Sequence, residues 1–192
     1  MPRIETETLA QHRDWRRNQL IEAAASIALE SGGAAVTVAA VAQRAGLSRT
    51  SVYEYFGSSA DLIADLVLEE LNNFAQYLQE AVADTDQPLS SIEAWIQSAL
   101  TYIADGRHLL AKALNATSLP QERAAAIGSA HRGLLAPLVS GLSAMGVKDT
   151  QRALLFIQAI TDASTKRIEA GHDAEAEIKS ATAFCIAGLT SI

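Results

Sequence analysis

The sequence predicts an all-α chain in which an N-terminal three-helix unit, built round a helix-turn-helix, precedes a larger all-helical domain. Three observations predict it. Nearly half of the 192 residues are apolar yet only 5% are aromatic, and the excess is Ala, Leu, Ile and Val in long stretches without proline, a composition that favours helices. No window shows the alternating β-branched pattern of a strand. Gly32-Gly33, Gly46, Gly57, Gly106, Pro120, Gly146 and Gly171 fall where helix ends are expected.

Residues 1–14 are polar and without period, and read as a flexible, solvated arm whose Arg3 and Arg13 could alternatively touch phosphate. From Trp15 the pattern turns helical, with Leu20, Ala24, Ile27 and Ala28 on one stripe until the Gly pair ends it. Thr37 then stands where an N-cap belongs, ahead of Val38, Val41, Ala42 and Ala45, and Gly46 breaks the run. Ser48 caps a second short helix, 49 to about 56, in which Val52 and Phe56 point one way and Arg49, Thr50, Tyr53 and Glu54 point outward. After Gly57-Ser58-Ser59, with Asp61 in the first turn, a linker helix runs over about 59–84. Five further helices are predicted at about 89–105, 107–118, 120–145, 149–170 and 173–190. The resulting division is an arm (1–14), a helix-turn-helix unit (15–60) and a larger domain (61–192).

Composition narrows the function. A single cysteine, Cys185, cannot close an internal disulfide, and no charged segment followed by an apolar one opens the chain; a cytoplasmic location is expected. The longest weakly polar run, 133–147, is shorter than the roughly 20 residues that span a bilayer, so no membrane partner is expected. The formal charge of −7 is uneven: residues 1–57 hold six Arg and six Asp or Glu, while the remainder holds nine Lys or Arg against sixteen acids. A surface that meets DNA must therefore lie in the N-terminal quarter. None of G-x-S-x-G, a P-loop, G-x-G-x-x-G or H-E-x-x-H occurs, so no catalytic residue and no cofactor is expected. His108 and His131 are not at metal-ligand spacing, and no metal site is expected either. Cys185, in an Ala-rich helix, reads as a small buried apolar residue.

A helix-turn-helix needs a small residue where its helices cross, a turn residue tolerant of left-handed φ, and an apolar anchor in the second helix; Ala42, Gly46 and Val52 supply these. The longer stretch Ala42-Gln43-Arg44-Ala45-Gly46-Leu47-Ser48-Arg49-Thr50-Ser51-Val52-Tyr53-Glu54-Tyr55-Phe56, followed by Asp61-Leu62, resembles the N-terminal domain of the tetracycline-repressor (TetR) family. The resemblance is close over residues 15 to about 70; beyond that only length and helical layout match. It implies that the helix 49–55 enters the major groove of an operator, with Arg49, Thr50 and Ser51 facing base edges or nearby phosphates and Tyr53 giving its hydroxyl to a phosphate. Arg49 is the best candidate for base readout, since a guanidinium can bond guanine O6 and N7 together. Thr37 and Ser48 cap helix N-termini that would point at phosphate, and Tyr55 and Ser59 complete the DNA-binding set. Two positions depart from the family: Ser59 stands where a Lys is frequent, and Glu54 where a basic or aromatic residue is frequent. Glu54 is expected to be solvent-exposed or paired with Arg49 or Arg44 rather than on a base.

The resemblance further implies a homodimer through about residues 149–190, with Ala153, Leu154, Ile157, Ile160, Thr161, Ile178, Ala181, Ala183, Cys185, Ile186 and Leu189 on the two packing faces, the alternative being that these faces are internal core only. It also implies a small-molecule effector held between the linker helix and that bundle. Trp95, Tyr102, Asn115 and Phe156, with His108 and His131, are the larger or polar groups available among Ala and Leu, and the same residues also fit a plain core. The function expected is a DNA-binding repressor released from a palindromic operator by its ligand. The alternative is a dimeric helical small-molecule-binding protein with a degenerate reading head.

Overall fold

The computed structural model of the chain describes residues 9–114 and 120–191. Among these there are nine α-helices, two short 3-10 turns and no strand. The described residues divide into two compact units, one from residues up to Glu70 and from Leu110–Ile127, the other from Leu71–Leu109 and Gly128 onward.

In the first unit α1 spans Leu9–Ser31. It starts six residues before Trp15, so residues 9–14, expected in the arm, are helical; residues 1–8 lie outside the described residues. Gln11, His12, Arg13 and Asp14 bury no stripe, but extending a helix that packing has already nucleated requires only one more hydrogen bond per residue. Leu20, Ile21, Ala24, Ile27 and Ala28 form its buried face. A 3-10 turn, Gly33–Ala35, leads to α2 (Val38–Arg44), α3 (Arg49–Tyr53) and α4 (Ser59–Ala83). Within the Gly57-Ser58-Ser59 start signal it is Ser58 that caps α4, its Oγ accepting from the Asp61 amide at 3.1 Å and donating to Asp61 Oδ2 at 2.8 Å. The core gathers Leu20, Ala24, Val41, Val52, Phe56, Leu62 and Leu66, and also Leu110 and Leu114. A fully buried Leu contributes about 1.5–3 kcal/mol, which draws this C-terminal pair into the first unit although the sequence reading assigned them to the larger domain.

The second unit is built on α5 (Pro88–Ala104), α8 (Thr150–Glu169) and α9 (Ala174–Leu189), each packed on the other two, with α7 (Ala124–Ala144) alongside. The short α6 (Leu109–Leu114), which carries Leu110 and Leu114 of the first unit's core, precedes α7. Leu78, Ile92, Ile96, Leu100, Leu138, Leu142 and Ile157 are almost wholly buried. Trp95 donates its indole N–H to the Leu134 carbonyl at 2.9 Å, fastening α5 to α7. The two helices are also close at Gly141, where a Cβ would lie 2.9 Å from Ile92 Cγ1 and 3.3 Å from the Pro88 carbonyl oxygen. Asp149 and Asp173 cap α8 and α9 through the Arg152 and Ala176 amides, each at 3.0 Å.

Candidate nucleic-acid interface

The helix-turn-helix is assembled from local chemistry. Thr37, in extended backbone, accepts from the Ala40 amide at 3.1 Å and starts α2. At the other end Gly46 adopts φ +66, with its amide donating to Gln43 at 3.3 Å and the Leu47 amide donating to Ala42 at 2.9 Å. This is the paired closure that a left-handed residue after a helix makes possible, and it places Ser48 at the head of α3. Ser48 Oγ accepts from the Ser51 amide at 3.1 Å and lies 3.0 Å from Ser51 Oγ. Five residues cannot hold a helix in water unaided; α3 is held by Val52, which is wholly buried, and by Phe56 just beyond it.

Fixing Val52 inward determines the opposite face. Arg49, Thr50, Tyr53 and Glu54 are exposed, Tyr53 by 57%. Thr37 and Ser48 are exposed at the two helix starts, whereas Ser51, Tyr55 and Ser59 are half-buried. Glu54 is solvent-exposed and joins no ion pair among the described residues. Arg44, one of the partners expected for it, is instead gripped by Glu30 of α1, with Nη1–Oε1 at 2.6 Å and Nη2–Oε2 at 2.5 Å. That bidentate hydrogen bond lowers the Glu30 pKa from its ordinary value and raises that of Arg44.

Two contacts of this unit carry no signal that sequence reading had used. Asp65 on α4 receives Arg17 of α1 at 2.7 Å on Oδ2 and Arg123 at 3.1 Å on Oδ1. Arg13 and Arg17, one turn apart on α1, lie over consecutive aromatics, Tyr55 at 6.0 Å and Phe56 at 5.7 Å. The i, i+4 spacing of the two arginines was the available clue.

The residues expected to line an effector site separate into different environments. Trp95 is a satisfied core residue through Leu134. Tyr102 is buried, stacked on Phe74 at 4.3 Å, with the Arg107 guanidinium 5.7 Å from its ring and 4.9 Å from that of Tyr77. Phe156 does not join them: it is 61% exposed on α8 and borders a groove of about 470 Å³ with Ile160, Phe184 and Gly188. Its neighbours Ala153, Ile157, Thr161 and Ser164 are the buried stripe of that helix, and Phe156 falls off it. Asn115 lies outside the described residues. His131 is exposed, and His108 Nε2 is 2.9 Å from Glu169 Oε1. Among the described residues no group of three or more His, Cys, Asp or Glu is placed to hold a metal, and no helix is long and apolar enough to cross a membrane. A second groove, of about 800 Å³, runs between α5 and α9 past Gln97, Thr101, Ile178, Thr182 and Ile186. Of the small and branched residues expected on the dimer faces, Ala153, Ile157, Thr161, Ala181, Cys185 and Leu189 are buried in the chain's own core; Leu155, Phe156 and Phe184 are the large apolar groups left exposed there.

Comparison with known proteins agrees with this geometry. Residues 20–66 match the family model for bacterial regulatory proteins of the tetR family. An HTH-type transcriptional regulator BetI from Brucella anthropi is 35% identical over 96 residues, which are 50% of this chain and 46% of that protein. The chain thus matches about half the length of that curated relative. FadR from Bacillus subtilis, solved in complex with stearoyl-CoA, superposes with a TM-score of 0.72 at 22% identity over 89% of this chain and 98% of its own. The fatty acid degradation regulator FadR from Bacillus halodurans gives 0.71 at 20% over 95% and 97%. At these identities the solved structures share the fold.

Proposed function

We propose that the chain, whose residues 20–66 match the model for bacterial regulatory proteins of the tetR family, is a sequence-specific transcriptional repressor released from a palindromic operator by a small molecule. The observation that carries the reading is the division of α3 into a wholly buried Val52 and an exposed face of Arg49, Thr50 and Tyr53. A purely structural helix of five residues has no need of that face.

In this reading Arg49 reads a base edge, a bidentate guanine contact discriminating by about 1–3 kcal/mol. Thr50 and Ser51 meet bases or adjoining phosphates, and the Tyr53 hydroxyl, with Tyr55 and Ser59 beside it, holds a phosphate. The amides at the starts of α2 and α3, capped by Thr37 and Ser48, add backbone donors. Two reading helices at half-site spacing require a homodimer, to which α8 and α9 contribute the exposed Leu155, Phe156 and Phe184. The effector binds in the helical unit of α5, α7, α8 and α9 and shifts the dimer between two geometries. A shared fold with a protein solved holding stearoyl-CoA supports a ligand-bearing role for that unit.

The test is selection of bound duplexes from a randomised DNA pool, with an Arg49→Ala, Tyr53→Phe protein beside the wild type. Enrichment of a palindrome that the variant binds more weakly is the expected result. No enrichment at low salt by a folded dimer would replace this reading with that of a helical ligand-binding dimer whose reading head is degenerate.

A further inference from the structure

The N-terminal unit resolves its own charge balance in an uneven way. Arg17 and Arg123 are both spent on Asp65, and Arg44 on Glu30. Among the described residues, Arg13, Arg16 and Arg49 join no ion pair. Arg49 is already placed on the reading helix. Arg16 is half-buried and lies over its own neighbour Trp15, at 5.3 Å. Arg13 differs: it is exposed, and its guanidinium is set over the ring of Tyr55, two residues beyond the last residue of α3.

We infer that Arg13 is a DNA-backbone contact, which makes the first turns of α1 a flank of the interface that meets phosphate beside the C-terminal end of the reading helix. This rests on the DNA-binding reading and deepens it. The stacking against Tyr55 leaves the charge and the N–H fork of Arg13 available while restricting its rotamers, so less side-chain entropy is lost when a phosphate is bound. Position follows from packing: Arg17, one turn further along, is locked by Asp65 and lies over Phe56, and the same helical face carried one turn back delivers Arg13 to Tyr55. The nearest acid in sequence, Asp14, projects about 100° further round the helix. Glu54 at the end of α3 adds negative charge near the backbone, and a cation on this side offsets it. A phosphate is the partner this chemistry fits, because a lone guanidinium beside a helix end positions a duplex without reading its sequence.

The experiment is fluorescence anisotropy of the full-length protein with the selected duplex and with a scrambled one, from 50 to 300 mM KCl, for wild type, Arg13→Ala and Arg13→Lys. Arg13→Ala is expected to weaken both duplexes by the same several-fold factor and to make the slope of log K against log salt shallower by about 0.9, the value of one phosphate contact. Arg13→Lys restores the slope. Wild-type affinity and slope in a folded Arg13→Ala protein would overturn the assignment while leaving the DNA-binding reading intact. So would a changed sequence preference, which would put Arg13 on a base. Absence of salt-dependent DNA binding by the wild type would remove both.

Discussion

Asp65 accepts from Arg17 at 2.7 Å through one carboxylate oxygen and, at 3.1 Å, presents the other to Arg123. One side chain on α4 is thereby fastened to α1 and to the 3-10 turn Gln121–Arg123 ahead of α7. Its carboxylate is only 14% exposed, whereas the two arginines are 40% and 37% exposed, so on its removal they regain water and the loss is moderate.

Asp65→Ala is expected to cost about 1–2 kcal/mol, which for a chain of this length lowers Tm by about 2–8 °C. Arg123→Ala, which removes one arm of the clamp, should cost less than half as much. Thermal melts by circular dichroism check both; equal melting of Asp65→Ala and wild type would show that the clamp is energetically silent.

The Glu30–Arg44 pair gives a pH dependence of definite sign. Its hydrogen bonds hold the folded-state pKa of Glu30 below the ordinary 4.5. The pair's contribution is therefore complete above that ordinary value and is lost as pH falls through the lower folded-state pKa. Urea midpoints of wild type and Glu30→Gln should differ at pH 7 and converge well below pH 4.5, and added salt should narrow the gap at pH 7.

How much of this was legible beforehand differs by element. The bounds of α2, the start of α3, the caps at Thr37 and Ser48 and the inward Val52 were readable because each rests on neighbours within a few residues; the end of α3, expected near residue 56, comes at Tyr53, with Phe56 buried just beyond the helix. The start of α1 was not, since residues 9–14 bury nothing periodic and are helical only by continuation of a packed segment. Size and aromaticity alone place Phe156 with Trp95 and Tyr102. Its register, one step off the Ala153–Ile157–Thr161 stripe, was the better guide. The Asp65 clamp joins residues 48 and 58 apart in sequence, and no local pattern reports such a pairing.

The exposed apolar face of α8 and α9 predicts association. Phe156→Glu together with Phe184→Glu should leave the far-ultraviolet helical signal unchanged and convert a dimer to a monomer in sedimentation velocity, because both rings are more than 60% exposed in the single chain. A persistent dimer would place the contact elsewhere.

Burial holds the Cys185 thiol up at about 11. Since the thiolate is the reactive form, the folded protein should react with 5,5′-dithiobis(2-nitrobenzoate) at pH 8 far more slowly than the urea-unfolded chain. Equal rates would contradict the packed position of α9.

The brevity of α3 bears on how such a protein changes its target. Val52, Phe56 and the Gly46 turn hold the helix from beneath, so Arg49, Thr50 and Tyr53 contribute almost nothing to the core. Under the proposed function, recognition and stability are thus written in different letters of the same fifteen-residue word. Gene duplicates can rewrite the first without misspelling the second, and an engineer can transplant a new reading face here while leaving the scaffold that presents it untouched.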